Sequence, residues 1–149
     1  MKKLITVLAA TFLLLMMPQA TAANTVIRIT APVNQTFAGE FRNDDLAQLL
    51  TPSGDLGLKV FQPVAKNRTW VIDAALVDEV ILMSNEYALA TDAEPAGKEI
   101  AASWLAQLKR VTDGNDVVAL AYGNPDISLA KRLAPSELKN YFAYGQDRL

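Results

Sequence analysis

Five side chains hold most of the chemistry this sequence can offer: Trp70, Asp73, Tyr122, Asn124 and Asp126. Asp73 follows the apolar run Trp70-Val71-Ile72. Asp126 follows the run 117–121 and the turn Tyr122-Gly123-Asn124-Pro125. Two carboxylates beside aromatic rings suit a carbohydrate, because rings pack on the apolar face of a sugar while acids bind its hydroxyls. Paired acids on either side of a glycosidic bond are also what glycoside hydrolysis requires. The same residues have simpler structural roles. Asp73 is placed to cap the helix that follows it. Asn124 is placed to cap another, with Pro125 at its first position and Asp126 in its first turn. Trp70 is of a type and setting to fill the core.

Composition removes many other chemistries. The 149 residues include no His and no Cys. That excludes Ser-His-Asp and Cys-His nucleophile systems, His- or thiolate-ligated metals, disulfides and a lipid anchor on cysteine. Neither G-x-x-x-x-G-K-[ST] nor G-x-G-x-x-G occurs, so no loop is built to cradle a phosphate. Ser53 lies in Thr-Pro-Ser-Gly-Asp rather than in a G-x-S-x-G elbow. Asp44-Asp45 opens no calcium loop, and Asp78-Glu79 is expected on the solvated side of its helix. The expectation is no cofactor and no metal. With 14 Lys+Arg against 16 Asp+Glu, evenly mixed, the surface has no clustered cations to attract nucleic acid.

The elements that must position these residues alternate. Asn24–Thr30 is rich in β-branched residues and ends at Ala31-Pro32, which predicts a strand. Asn43-Asp44-Asp45 opens a short helix carrying Leu46, Leu49 and Leu50. The stretch 55–67 has apolar residues at Leu58, Val60 and Phe61 but no clear period. Thr69–Ile72 predicts a strand, and Ala74–Met83 a helix with Leu76, Val77, Val80 and Met83 on one face. A polar loop over Ser84–Pro95 contains a short apolar stop at Tyr87-Ala88-Leu89. A longer helix over 96–112 buries Ile100, Trp104, Leu105, Leu108 and Val111. The run 117–121 predicts a strand covered on both faces. Two short helices follow, with Ile127, Leu129, Ala130 and Leu133 on the first and Leu138, Tyr141 and Phe142 on the second. This is an α/β pattern: a small, mostly parallel sheet of three to four strands with flanking helices. In such folds, Asp73 and Asp126 emerge at the ligand-binding ends of their strands.

The first residues form a leader. Lys2-Lys3 precede the uncharged run Leu4–Met17, and Ala20-Thr21-Ala22 offers small residues at a cleavage site. The apolar run is shorter than the roughly 20 residues a spanning helix needs. The expectation is a secretory signal over residues 1–22, cut after Ala22, and one α/β domain over 23–149. The mature chain would have no stable membrane span and would lie outside the cell or at the envelope exterior.

Three segments carry a resemblance: Arg68–Val80 (RTWVIDAALVDEV), Ala101–Leu108 (AASWLAQL) and Val117–Ala130 (VVALAYGNPDISLA). They resemble an uncharacterised family of exported actinobacterial proteins usually encoded beside the lipid II flippase of peptidoglycan synthesis. That family's pattern runs T-W-x-V-D-P-x-L-x-D-x-V, W-L-x-x-L and P-Y-x-D-P-D-x-x-A-L. Leu49–Leu56 is similar to the segment before it. Here D-P is Asp73-Ala74, P-Y is Ala121-Tyr122, and D-P-D is Asn124-Pro125-Asp126. The family's central region is similar to the incomplete (β/α) barrel of polysaccharide deacetylases and glycosidases. The resemblance implies that Asp73, Tyr122 and Asp126 line a barrel mouth. Family members are several times longer, and about three βα units are too few to close a barrel. The resemblance therefore implies a short member, with a non-catalytic envelope role, binding cell-wall glycan or an envelope protein, as the leading expectation. A carbohydrate hydrolase using Asp73 and Asp126, or a fragment without independent function, are the alternatives. Oligomeric state is left open.

Overall fold

A computed structural model describes residues 25–62 and 68–149, so the expected leader and its cleavage point lie outside the described residues. Strand β1 (Thr25–Ile29) is followed by helices α1 (Asp45–Leu50) and α2 (Asp55–Phe61), then β2 (Arg68–Ile72). Helices α3 (Ala74–Ser84) and α4 (Lys98–Thr112) lead to β3 (Asp116–Ala119), and α5 (Ile127–Leu133) and α6 (Pro135–Asp147) end the chain. The strands form one sheet in the order β1-β2-β3, with both pairings parallel. Parallel neighbours need a crossover, and each crossover here carries two helices. The sheet is thus small, parallel and flanked by helices, at the lower end of the expected strand number.

Register decides which face is core. Ile27 and Ile29 pair with Trp70 and Ile72, which pair in turn with Val117 and Ala119. Partners in register share a face, and on this one Ile29, Trp70 and Ile72 are fully buried. The helices close over it. Trp104 of α4 is buried and donates its indole N–H to the Leu56 carbonyl at 3.1 Å, while Gln107 donates to Val60 O at 2.8 Å. These bonds fix α2, the part of 55–67 that showed no clear period, against α4. Helices α1 and α2 meet so closely that a Cβ on Gly57 would lie 1.7 Å from Thr51 O.

One expectation changes. The strand at 117–121 is not covered on both faces. It is an edge strand of four residues, and Val117 and Val118, on opposite faces, are 44% and 49% exposed. The reason is that an edge strand has one neighbour, and coverage depends on what packs there rather than on its own hydrophobicity. The apolar positions of α5 are not buried; Leu133 is 70% exposed. On α6, Leu138 is buried, but Tyr141 and Phe142 remain largely exposed. The apolar stop at 87–89 does form, as a bridge between Phe41 and Leu89. Nearby, Tyr87 donates to Asp44 Oδ1 at 2.5 Å and accepts from Gly97 N at 2.7 Å. Burial first, and then the Asp44 carboxylate, push the Tyr87 hydroxyl up to about 12. Among the described residues, no helix is long and apolar enough to cross a membrane.

Candidate binding groove at the carboxyl ends of the strands

Asp73 is the first residue past β2, and its N–H bonds Ile29 O at 3.0 Å, extending the ladder by one rung. Its side chain, 2% exposed, turns back onto α3. Oδ1 accepts from Ala75 N at 3.0 Å, the N-cap bond, and from Gly123 N at 3.0 Å. Burial raises the pKa of this carboxyl, opposed by the two N–H donors and by Arg28. Asp73 therefore ties the start of α3 to the turn after β3. That turn has left-handed backbone at Gly123 (φ +74°) and Asn124 (φ +43°), which glycine and asparagine tolerate best.

The cap of α5 falls two residues later than expected. Asp126 is the N-cap of α5, accepting from Leu129 N at 2.9 Å. Asn124 instead accepts from Arg28 Nη2 at 2.7 Å, joining the carboxyl ends of β1 and β3. The positive φ at Asn124 takes it out of the extended conformation an N-cap adopts. Trp70 is not brought to this end. It lies fully buried on the helix-covered face, with the Arg68 guanidinium 5.7 Å from its ring centre.

Tyr122 is brought into a second cluster that the sequence reading missed. Its hydroxyl donates to Asp78 Oδ2 at 2.9 Å, and its ring meets Tyr144 edge-to-face at 4.7 Å. Arg148 holds the same Asp78 through two bonds, of 2.6 and 3.0 Å. Burial, then Asp78, push the Tyr122 hydroxyl up to about 12.

The expectation that Asp78-Glu79 is solvated is overturned at both residues. Glu79 is 6% exposed, and its Oε1 accepts from Asn34 N at 3.1 Å and Gln35 N at 3.3 Å. Burial raises its pKa, and the charge of Asp73 adds to this, while the two N–H donors and Arg42 pull the other way. Glu79 escaped the sequence reading because its partners lie 44 and 45 residues upstream.

These residues enclose an open groove of about 430 Å³ between α3 and α6, walled by Gln35, Glu79, Leu82, Tyr122, Tyr144 and Arg148. A larger cleft of about 750 Å³ runs along β3 and is mainly apolar, with Leu105, Leu108, Val117, Val118 and Leu149 around Lys109. None of the five sequence-selected residues lines that cleft. Among the described residues, no group of three or more acids is placed to hold a metal ion. The smaller groove can offer hydroxyl, amide, carboxylate and guanidinium groups beside aromatic surface. No family model, curated protein or solved structure matches the chain.

Proposed function

We propose that this chain is an exported, non-catalytic binding domain of the cell envelope, and that the groove between α3 and α6 takes a cell-wall glycan. One observation carries the reading: Tyr144, half exposed, stands against Tyr122 beside the Asp78–Arg148 pair in a concave site. A sugar presents an apolar ring face to an aromatic side chain and hydroxyls to acids and guanidinium, and this groove supplies both. The leader 1–22 and the resemblance of Arg68–Val80 to an exported, flippase-linked family support the envelope setting. Asp73 and Asp126 each fold back onto a helix N-terminus, which favours binding over hydrolysis.

The test is equilibrium binding of the purified protein to soluble peptidoglycan fragments. Tyr144→Ala and Arg148→Ala are expected to weaken binding about tenfold each, equivalent to roughly 1.4 kcal/mol, without loss of folding. Wild-type protein that leaves the fragments unbound, or variants that bind equally well, would overturn the proposal. A second reading has its own observation: the larger cleft along β3 is mainly apolar, and Val117 and Val118 in its lining are exposed. An envelope protein docking there would leave binding unaffected by Tyr144→Ala and reduced by Val118→Lys.

A further inference from the structure

The two edges of the sheet differ in what meets them. Ile29 O accepts from Asp73 N at 3.0 Å, so Ile29 turns its carbonyl toward β2. Alternate residues of a strand turn their N–H and C=O groups to opposite sides, so Arg28 faces outward. There its carbonyl accepts from Lys59 Nζ at 2.9 Å. A lysine on an edge is a common protection against pairing with another chain. On β3, Leu120 N donates to Ile72 O at 2.8 Å, and the same alternation turns Val117 and Ala119 outward. Among the described residues, no hydrogen bond from outside the β2 ladder reaches either of them. Val117 and Val118 are exposed, so this edge is open to solvent.

The open edge is short. It ends after Ala119, because α6 closes on Leu120: a Cβ on Gly145 would lie 2.2 Å from the Leu120 carbonyl oxygen. Asp116 stands exposed at its other end, on the sheet face that also carries Arg28. These limits decide which strand fits. A parallel copy in register would set Asp116 beside the partner's Asp116, a like-charge pair. An antiparallel copy turned about Val118 sets Val117 opposite the partner's Ala119, so that each outward N–H meets an outward C=O. It also carries each Asp116 toward the carboxyl end of the other sheet, where Arg28 bonds Asn124, and so brings acid toward base. The partner's Val117 then arrives beside Ala119, on the side of the apolar cleft lined by Leu105, Leu108 and Leu149.

We propose that two copies of this chain pair antiparallel through β3, about a two-fold axis at Val118, joining two three-stranded sheets into one. Such a contact is isologous and closes as a dimer rather than a filament. Lys59 keeps the β1 edge out of it. Pairing over Val117–Ala119 is smaller than a standard interface, so the association is weak. The inference is independent of the glycan groove between α3 and α6, so either can fail without the other.

Sedimentation equilibrium of the purified protein alone, from about 1 µM to about 500 µM, reads the association. The apparent mass is expected to approach twice that of the chain at the upper end. Val118→Lys and Val118→Glu are each expected to hold the mass at one chain, because the new charge faces its own copy. An equimolar mixture of the two is expected to regain the doubled mass, since unlike charges then meet. Circular dichroism checks that both variants fold. Val118→Cys serves if they do not: the chain has no other Cys, and the two-fold places this residue at a closely spaced pair within disulfide reach. Mild oxidation is expected to link it into a covalent dimer, and to leave Val26→Cys, on the β1 edge, unlinked. A protein that stays at one chain throughout, leaving the edge to a different partner, would overturn the proposal. So would a dimer that both charged variants retain, or equal crosslinking of the two Cys variants.

Discussion

Replacing Asp73 separates its hydrogen bonding from its charge. Asp73→Ala removes the cap bond to Ala75 and the bond from Gly123. Loss of a cap costs about 1 kcal/mol. Leaving the Gly123 N–H without its acceptor costs about 1–3 kcal/mol, nearer the lower end because that residue is half-buried and water reaches it. The expected loss is about 2–3 kcal/mol. Asp73→Asn retains an acceptor, is about as good an N-cap, and removes a buried charge. It should stay within about 0.5 kcal/mol of wild type near neutral pH.

The pH dependence has a definite sign. Burial raises the folded-state pKa of Asp73 above the reference value of 3.8, so the native state holds the proton more tightly than the unfolded chain. The stability contributed by this carboxyl is full below 3.8 and is lost as pH rises through the higher folded-state value. The wild-type advantage over Asp73→Asn should therefore shrink with rising pH across that window. Urea unfolding followed by circular dichroism, repeated from about pH 3 to about pH 8, measures both effects. An Asn variant as unstable as the Ala variant, or a wild-type advantage that grows with pH, would refute the reasoning.

Glu79→Ala strips the acceptor from the Asn34 and Gln35 N–H groups and is expected to cost about 1–3 kcal/mol by urea unfolding. Glu79→Gln should remain close to wild type near neutral pH and lose a pH dependence of the same sign as that of Asp73, because its folded pKa is also raised. Gly57→Ala forces apart α1 and α2, since its Cβ would meet Thr51 O; a loss of about 1–3 kcal/mol is expected, read as a lowered melting temperature. Protein recovered from outside the producing cell should begin at Ala23 on N-terminal sequencing; an intact Met1 there would remove the leader from the argument.

Much of the local structure was legible. Asp73 ahead of an apolar-periodic run reads as an N-cap, and it is one. Trp104 and Leu108 recur at helical spacing, and both are buried. Legibility failed where the deciding partner is distant in sequence. Glu79 lies three residues from Leu76 and four from Met83, on the buried side of α3. Charge alone argued for water, and what allows its burial is a pair of backbone donors in the segment after β1. Asn124 carried a plausible capping pattern. Arg28, 96 residues away in sequence, engages it instead, while Asp126 takes the cap. Val117 and Val118 show the converse error: their hydrophobicity predicted a strand correctly and its coverage wrongly.

The sequence by itself determined the alternation of elements, the cap at Asp73 and the lack of His and Cys. These depend on residue type and short-range spacing, which fix backbone preference and hydrophobic period within a few turns of chain. Only the tertiary structure decided that Trp70 is core, that Tyr122 belongs with Asp78 and Tyr144, and that Glu79 is buried. Burial and pairing are properties of what arrives from elsewhere in the chain, and a parallel sheet brings together residues that the sequence keeps tens of positions apart.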